Sequence, residues 1–272
     1  MRGVQQALAE DLGNGDVTAA LVPEGELAQA RVIVREAAVL CGSAWVEAVF
    51  RQLDPSITIN WLATDGKSLA PDTTVCEIAG SARSILSGER TALNFLQLLS
   101  GTASRTAEYV KAVAGTSARI LDTRKTVPGL RFAQKYAVRC GGGSNHRLGL
   151  YDAVLIKENH IAACGSLRAA IDAAKAHAGS LLVEAEIETL AQLADALTTQ
   201  VDRLLLDNFQ LADLHAAVRM RAAAGKTAIE LEASGGITLA NVRTIAATGV
   251  DFISVGSITK DVKAIDYSMR FV

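Results

Sequence analysis

The sequence predicts an α/β protein in which an N-terminal α+β domain is followed by an open, incomplete α/β barrel of six to seven strands. Two observations predict this arrangement. From residue 119 onward, short strand-like runs alternate with alanine-rich amphipathic stretches, the pattern of parallel strands joined by helical crossovers. Before residue 100, the strand-like runs are instead separated by turn-forming clusters such as DPS, TDGKS and APDTT.

The N-terminal part, residues 1–100, is predicted to be a small α+β domain. Its strand-like runs are RVIVREAAVLCG, ITINWL and TVCEIAG, and AWVEAVFRQL between the first two has a helical pattern. The next segment, GERTALNFLQLLSGTASRTAEYVKAVAG, is expected to form two helical segments joined near Gly101. We therefore assign residues 101–272 to the barrel.

The barrel is predicted from six strand-like runs: ARILDT, AVLIKEN, LLVEAEIE, RLLLDNF, AIELEAS and DFISVG. The last five recur at intervals of about 22 to 28 residues, which approximates one strand and one helix each. The sequence lacks the G-x-G-x-x-G signature of a dinucleotide-binding sheet. Every run ends in polar or glycine residues, and the carboxyl edge of the strands is where α/β barrels hold their catalytic groups.

The segment from residue 139 to 161 is the most informative part of the sequence about function. Three consecutive glycines run into Asn145-His146-Arg147, and a short apolar strand then ends at Lys157. Cationic residues are concentrated between residues 124 and 157, and their spacing is not that of one helix face. They are Arg124, Lys125, Arg131, Lys135, Arg139, His146, Arg147 and Lys157. Cations in one pocket repel each other unless an anion neutralises them, and arginine forks suit carboxylates. The pattern predicts a site for a small polyanion, with salt bridges to the acidic strand ends as the alternative.

Two further groups complete the predicted site. Glu186 and Asp207 end neighbouring strands, where paired carboxylates bind Mg²⁺ with a phosphorylated substrate or stabilise a developing cation. The alternative is that they only neutralise the cations. The loops Ser234-Gly235-Gly236 and Val255-Gly256-Ser257 follow the last two strands, where barrels commonly bind phosphate through backbone N–H groups. Two ordinary turns are the alternative there.

Composition excludes several classes of protein. A formal net charge of −2 gives no global basic field for nucleic acid. The apolar runs are far shorter than the roughly 20 residues that span a bilayer, and acidic residues stand where a signal peptide would be apolar. The four cysteines form no C-x-x-C pair and are expected to be reduced structural thiols. We expect a cytoplasmic protein without nucleic-acid or membrane partners.

Long blocks of the chain, in order, resemble the quinolinate phosphoribosyltransferase family, also called carboxylating nicotinate-nucleotide pyrophosphorylase. The resemblance covers nearly the whole chain and implies an N-terminal capping and dimerisation domain followed by an open catalytic barrel, with the C-terminal tail packing back on the N-terminal domain. The blocks are EDLGNGDVT (10–18), GERTALNFLQLLSG (88–101), ARILDTRKTVPGLR (118–131), KYAVRCGGGSNHRLGLYDAVLIKENHI (135–161), LLLDN (204–208), EASGGI (232–237) and GVDFISVGSIT (249–259).

The resemblance implies a reaction of quinolinate with phosphoribosyl pyrophosphate that yields nicotinate mononucleotide, CO₂ and pyrophosphate in NAD biosynthesis. It also implies a homodimer with shared active sites, or a hexamer. The resemblance implies that the quinolinate carboxylates are held by Arg124, His146, Arg147 and Lys157, with Arg90 supplied by the partner subunit. It implies that Lys125 contacts phosphoribosyl pyrophosphate near its reacting carbon, and that the ribose hydroxyls and Mg²⁺ are bound by Glu186 and Asp207. The 5-phosphate would be held by Ser234, Gly235, Gly236 and Gly256.

Two departures from the family pattern stand out. The usual VEVE around Glu186 is VEAE here, and the His-Ser that often follows SIT is replaced by Lys260-Asp261. Three alternatives stay open at this stage: a Schiff-base aldolase using Lys157, a related phosphoribosyltransferase-like protein acting on another anion, and a catalytically silent scaffold. A scaffold would have no need of the charged motif residues.

Overall fold

The structure is a computed structural model that describes residues 2–272, and it divides into two compact units. The first unit contains the residues up to Ala107 together with Thr126–Gly142 and Ile258–Val272; the second contains Glu108–Lys125 and Gly143–Ser257. In chain order the elements are α1 (Arg2–Leu12), a 3-10 turn (Ala19–Leu21), β1 (Leu27–Val34), β2 (Ala38–Val39), α2 (Ser43–Leu53), β3 (Thr58–Trp61), β4 (Ser68–Leu69), β5 (Thr73–Ser81), α3 (Ala82–Ala112), β6 (Arg119–Leu121), α4 (Arg131–Cys140), β7 (Val154–Ile156), α5 (Glu158–Cys164), α6 (Leu167–Ala178), β8 (Val183–Ile187), α7 (Leu190–Ala196), β9 (Arg203–Asp207), α8 (Leu211–Ala223), β10 (Glu230–Ser234), α9 (Val242–Ala246), β11 (Phe252–Ser254), α10 (Ser257–Lys260) and β12 (Tyr267–Phe271).

The first unit is built on a four-stranded antiparallel sheet in the order β12-β1-β5-β3, with a separate β2-β4 pair. Alternate residues of β1, Ala30, Val32 and Val34, are buried because successive side chains of a strand point to opposite faces. Helix α2 buries Val46, Val49 and Phe50, which share one helical face. These side chains pack into one apolar cluster, and each buried large side chain stabilises the fold by about 1.5–3 kcal/mol.

The prediction of two helical segments joined near Gly101 is wrong, because α3 runs without a break from Ala82 to Ala112. Gly101 serves close packing instead of a chain break. A Cβ at this position would overlap the carbonyl oxygen of Lys263 and lie 3.2 Å from Val262 Cγ1. The absence of a side chain at Gly101 therefore lets the segment before β12 pack against α3. No local sequence pattern reveals this contact.

Gly101→Ala is expected to lower the free energy of unfolding of the protein by about 1–3 kcal/mol, the usual cost of overpacking. The clash outweighs the roughly 1 kcal/mol by which alanine favours a helix interior over glycine. Thermal unfolding measures the change. Gly3→Ala in α1 is the matched control, since nothing lies within 4 Å of a Cβ there. Equal midpoints for the two variants would contradict the packing role of Gly101.

The second unit contains a six-stranded parallel sheet in the order β6-β11-β10-β9-β8-β7. The central strands are buried in near-continuous runs such as Leu204-Leu205-Leu206, as expected when helical crossovers cover a parallel sheet. Strands β6 and β7 stand at the two edges of this sheet, and the chain between them passes through α4 of the first unit. The predicted open, incomplete barrel of six to seven strands is therefore confirmed, with six strands.

Across residues 2–272, no helix combines the length and the apolar composition that a bilayer crossing requires.

Candidate active site

The carboxyl ends of the six parallel strands surround a cavity of about 370 Å³ in the second unit. This is the edge at which α/β barrels carry their catalytic groups. The lining residues are Thr123, Arg124, Lys125, His146, Arg147, Leu155, Lys157, Glu186, Leu205, Asp207, Glu232, Ser234 and Ser254.

Most of the residues that the sequence singled out meet in this cavity. The members present are Arg124, Lys125, His146, Arg147, Lys157, Glu186, Asp207 and Ser234. Three other cations of the basic segment, Arg131, Lys135 and Arg139, lie on α4 of the first unit, where Lys135 is buried. The cationic segment is therefore split between two environments, a distinction that composition alone does not make.

The loop after the glycine run is held in place by a buried carboxylate at the end of β6. Asp122 accepts hydrogen bonds from Asn145 Nδ2 at 2.6 Å and from the His146 backbone N–H at 2.8 Å. The backbone N–H of Arg147 donates to His146 Nδ1 at 2.7 Å, so the other ring nitrogen carries the proton. Asp122 and Asn145 thus position His146 and Arg147.

Two guanidinium groups lie close together in the cavity. Burial and the nearby Arg124 charge lower the pKa of Arg147. The Nε of Arg124 is buried and has no hydrogen-bond partner among residues 2–272. A buried donor without a partner is costly, and like charges side by side add to the cost. An anion with several acceptor oxygens would satisfy both groups.

A pair of buried carboxyl groups lies close to His146, and the sequence pattern did not reveal their role. His146 Nε2 is 2.9 Å from Glu184 Oε2 and 3.7 Å from Glu232 Oε1. Burial raises the pKa of both glutamates, and the Glu184 charge raises that of Glu232 further. The Arg203 guanidinium, 3.4 Å from Glu232, offsets part of this effect. Strand periodicity could have found the pair, because Glu184 shares a face of β8 with Glu186.

The second predicted pair, Glu186 and Asp207, offers oxygen ligands at the cavity mouth. Partial burial and the Glu186 charge raise the pKa of Asp207, which indicates that the two carboxylates repel each other. Lys157 Nζ relieves part of this repulsion, since it lies 2.6 Å from Glu186 Oε2. Two carboxylates suit Mg²⁺, which keeps most of its shell for water and substrate phosphates. Glu186 and Asp207 therefore suit a Mg²⁺ ion that enters the cavity bound to the substrate phosphates.

Backbone geometry requires a glycine in the first of the two predicted phosphate loops, and a neighbouring side chain crowds the glycine of the second. Gly235 has a φ of +93°, and a Cβ there would overlap the Asn208 side chain. At Gly256 a Cβ would lie 3.3 Å from Lys125 Cδ, so a larger residue would push this lysine. Both loops follow the strand ends Ser234 and Ser254 that line the cavity.

Arg90 is placed differently from the other predicted residues. It lies on α3 in the first unit, is exposed, and is not among the residues that line the cavity. The role in a partner subunit's site stays a prediction.

Comparisons with known proteins agree along the whole chain. Residues 16–100 match the family model described as quinolinate phosphoribosyl transferase, N-terminal domain, and residues 102–270 match the C-terminal domain of the same family. A probable carboxylating nicotinate-nucleotide pyrophosphorylase of Synechocystis is 42% identical over 99% of this chain and 91% of its own length. A second, from Bacillus subtilis, is 41% identical over 96% of this chain and 89% of its own length.

A solved structure supports the same relationship. The nicotinate-nucleotide pyrophosphorylase of Francisella tularensis superposes with a TM-score of 0.96 at 46% identity, and the match covers 100% of this chain and 95% of that one. Sequence and fold therefore agree over both halves of the protein. The chain belongs to the quinolinate phosphoribosyltransferase family.

Proposed function

We propose that the protein catalyses the reaction of quinolinate with phosphoribosyl pyrophosphate to give nicotinate mononucleotide, CO₂ and pyrophosphate, a step of NAD biosynthesis. One observation indicates which acid is the substrate. The adjacent guanidiniums of Arg124 and Arg147 line the cavity beside His146 and Lys157. The buried Nε of Arg124 has no hydrogen-bond partner among the described residues. A pyridine with two neighbouring carboxylates supplies the matching acceptors.

The chemistry requires positioning and charge stabilisation more than proton transfer. The pyridine nitrogen donates its electron pair to C1 of the ribose while the C1–O bond breaks and pyrophosphate leaves with that pair. The transition state resembles an oxocarbenium ion. Glu186 and Asp207 place negative charge at the cavity mouth, where it stabilises this cation, and Lys125 attracts the leaving pyrophosphate. Glu186 and Asp207 would hold Mg²⁺, which would neutralise charge on the pyrophosphate.

Loss of CO₂ follows from the same bond formation. Once its nitrogen is ribosylated, the ring is cationic, and the bond from C2 to its carboxylate breaks with the electron pair left on C2. The adjacent positive nitrogen stabilises that pair until water supplies a proton. Arg124 and Arg147 hold the acid for the first step, and the Ser234-Gly235-Gly236 and Gly256 loops hold the 5-phosphate by backbone N–H groups.

The neighbouring carboxylates provide a prediction for the metal. Glu186→Gln and Asp207→Asn each remove one charge with little change in shape, so both variants should require more Mg²⁺ for half-maximal rate and turn over at least about 10-fold more slowly at limiting Mg²⁺. Initial rates across a Mg²⁺ titration measure this. Glu24→Gln, at an exposed position in the first unit, is the control. A variant with the wild-type Mg²⁺ response would assign that carboxylate a structural role only.

The function itself is tested by supplying quinolinate or nicotinate with phosphoribosyl pyrophosphate and Mg²⁺, and measuring CO₂ and nicotinate mononucleotide. Quinolinate should be used and nicotinate should react feebly or not at all. An acid with one carboxylate leaves a cation unpaired in the cavity, at a cost of several kcal/mol. Comparable rates with both acids, or no reaction with quinolinate, would contradict the proposal and favour a related enzyme for another anion.

The geometry argues against a Schiff-base aldolase. A lysine that forms a Schiff base needs an Nζ that is free to attack a carbonyl carbon, whereas Lys157 Nζ is held 2.6 Å from the Glu186 carboxylate in an ion pair. We further propose a cytoplasmic homodimer in which Arg90 reaches the partner's cavity, with a hexamer as the larger alternative. Sedimentation of the purified protein measures the assembly size.

A further inference from the structure

A second cluster of metal-competent side chains lies in the first unit and shares no residue with the barrel cavity. Cys41 follows β2, Asp65 lies in the turn between β3 and β4, and Cys140 is the last residue of α4. One ligand atom from each of these residues lies within 4.8 Å of the others. Three separate segments of the chain therefore bring two sulfurs and a carboxylate to one point.

Hydrogen bonds hold the carboxylate of Asp65 in place near the two sulfurs. Asp65 Oδ2 accepts from the backbone N–H of Gly42 at 3.1 Å, and Oδ1 accepts from that of Ser43 at 3.2 Å. The Tyr136 hydroxyl donates to Oδ2 at 2.9 Å. Carboxylates that ligate metals are commonly oriented by such outer hydrogen bonds.

The backbone of the first cysteine is fixed as well. The Cys41 N–H donates to Ser100 Oγ at 3.0 Å, and the Ser100 hydroxyl lies 3.2 Å from the Cys41 carbonyl oxygen. The cysteine is fully buried, whereas Cys140 is half-buried and Asp65 is partly exposed. An ion would therefore enter from the side of Cys140 and Asp65.

We propose that Cys41, Asp65 and Cys140 bind a thiophilic divalent cation, for which Zn²⁺ is the probe, with water in the fourth position. In a tetrahedral zinc site, bonds of about 2.3 Å to sulfur and about 2.0 Å to oxygen place two sulfurs about 3.8 Å apart. Ligand atoms within 4.8 Å of one another reach that spacing by small side-chain rotations. Thiolates disfavour Mg²⁺, so this site and the barrel cavity select different ions.

Cobalt substitution provides the test, because Co²⁺ bound to thiolates has an intense near-ultraviolet charge-transfer band that carboxylate sites lack. The reduced full-length protein, titrated with Co²⁺ in the presence of a phosphine reductant, should develop this band at one ion per chain and lose it on addition of Zn²⁺. Cys140→Ser removes one of the two sulfur ligands and should reduce the band to half or less. Tyr136→Phe, which removes the outer hydrogen bond to Asp65, should weaken Co²⁺ binding by about 10-fold.

Two controls separate this site from others in the chain. Cys164→Ser removes an exposed thiol at the end of α5 and should leave the band intact. The Glu186→Gln/Asp207→Asn double variant should also keep it, which excludes the barrel cavity. The absence of a thiolate band in the reduced wild-type protein, or its persistence at full intensity in Cys140→Ser, would overturn the proposal.

A second measurement requires no variant. X-ray absorption at the zinc edge of the protein loaded with one Zn²⁺ should show two sulfur ligands with oxygen in the remaining positions. A shell of nitrogen and oxygen alone would overturn the proposal. Because Zn²⁺ binds the folded state, one equivalent should also raise the thermal midpoint of the wild-type protein and not that of Cys140→Ser.

Discussion

Arg147→Ala should weaken quinolinate binding by roughly 30-fold or more, while binding of phosphoribosyl pyrophosphate changes little. The expected loss is about 2–5 kcal/mol, the range for truncating one partner of a buried, hydrogen-bonded charge pair. Arg147 lies beside Arg124, with burial and the Arg124 charge both lowering its pKa, so a bound dianion gains from each. Calorimetric titration of each ligand separately measures the two affinities.

The same variant separates a binding role from a structural one. In the ligand-free protein Arg147 is a partly buried cation next to another cation, and its guanidinium makes a long hydrogen bond of 3.4 Å to the Ala153 carbonyl. Removing it should therefore leave the thermal midpoint unchanged or raise it. Arg168→Ala, which removes an ion pair with Asp195 outside the cavity, is the control. Equal losses for both ligands, or a lowered midpoint, would contradict the assigned role.

Arg90→Ala and Lys125→Ala, each inactive alone, should restore activity when their subunits are mixed. In a hybrid dimer the Arg90→Ala subunit keeps an intact barrel and receives Arg90 from its partner, so that site is whole. The other site carries both defects. With random pairing half of the dimers are hybrids with one good site of two, so roughly a quarter of wild-type activity should return in a closed symmetric dimer. Subunit exchange followed by the CO₂-release assay measures the recovery.

A matched mixture controls for nonspecific rescue. Lys125→Ala combined with Arg147→Ala should recover nothing, because both residues line the same cavity of one chain and every hybrid site lacks one of them. No recovery in the Arg90→Ala mixture, despite proven hybrids, would show that Arg90 serves its own subunit's site or none. The exposed position of Arg90 on α3 is what makes the shared-site arrangement testable.

Sequence alone was sufficient to predict the parallel strands and the polar residues at their ends. The runs that end in Lys157, Glu186 and Asp207 form β7, β8 and β9, because short β-branched and leucine-rich segments between amphipathic helices have few other ways to bury their side chains. Parallel strands bring their carboxyl ends to one edge, so polar residues at those ends meet in space whatever the details of packing.

Tertiary structure decided what depends on residues distant in sequence. Gly101 looked like a chain break, yet it lies inside one helix, where the lack of a Cβ leaves room for the Lys263 backbone. Glu184 and Glu232 became partners of His146 only when β8 and β10 met its loop. Cys41, Asp65 and Cys140 have no spacing that a metal motif would show, and chain topology brings them together. Local patterns determine the elements and their polar ends, whereas close approaches and buried charge clusters depend on which elements become neighbours.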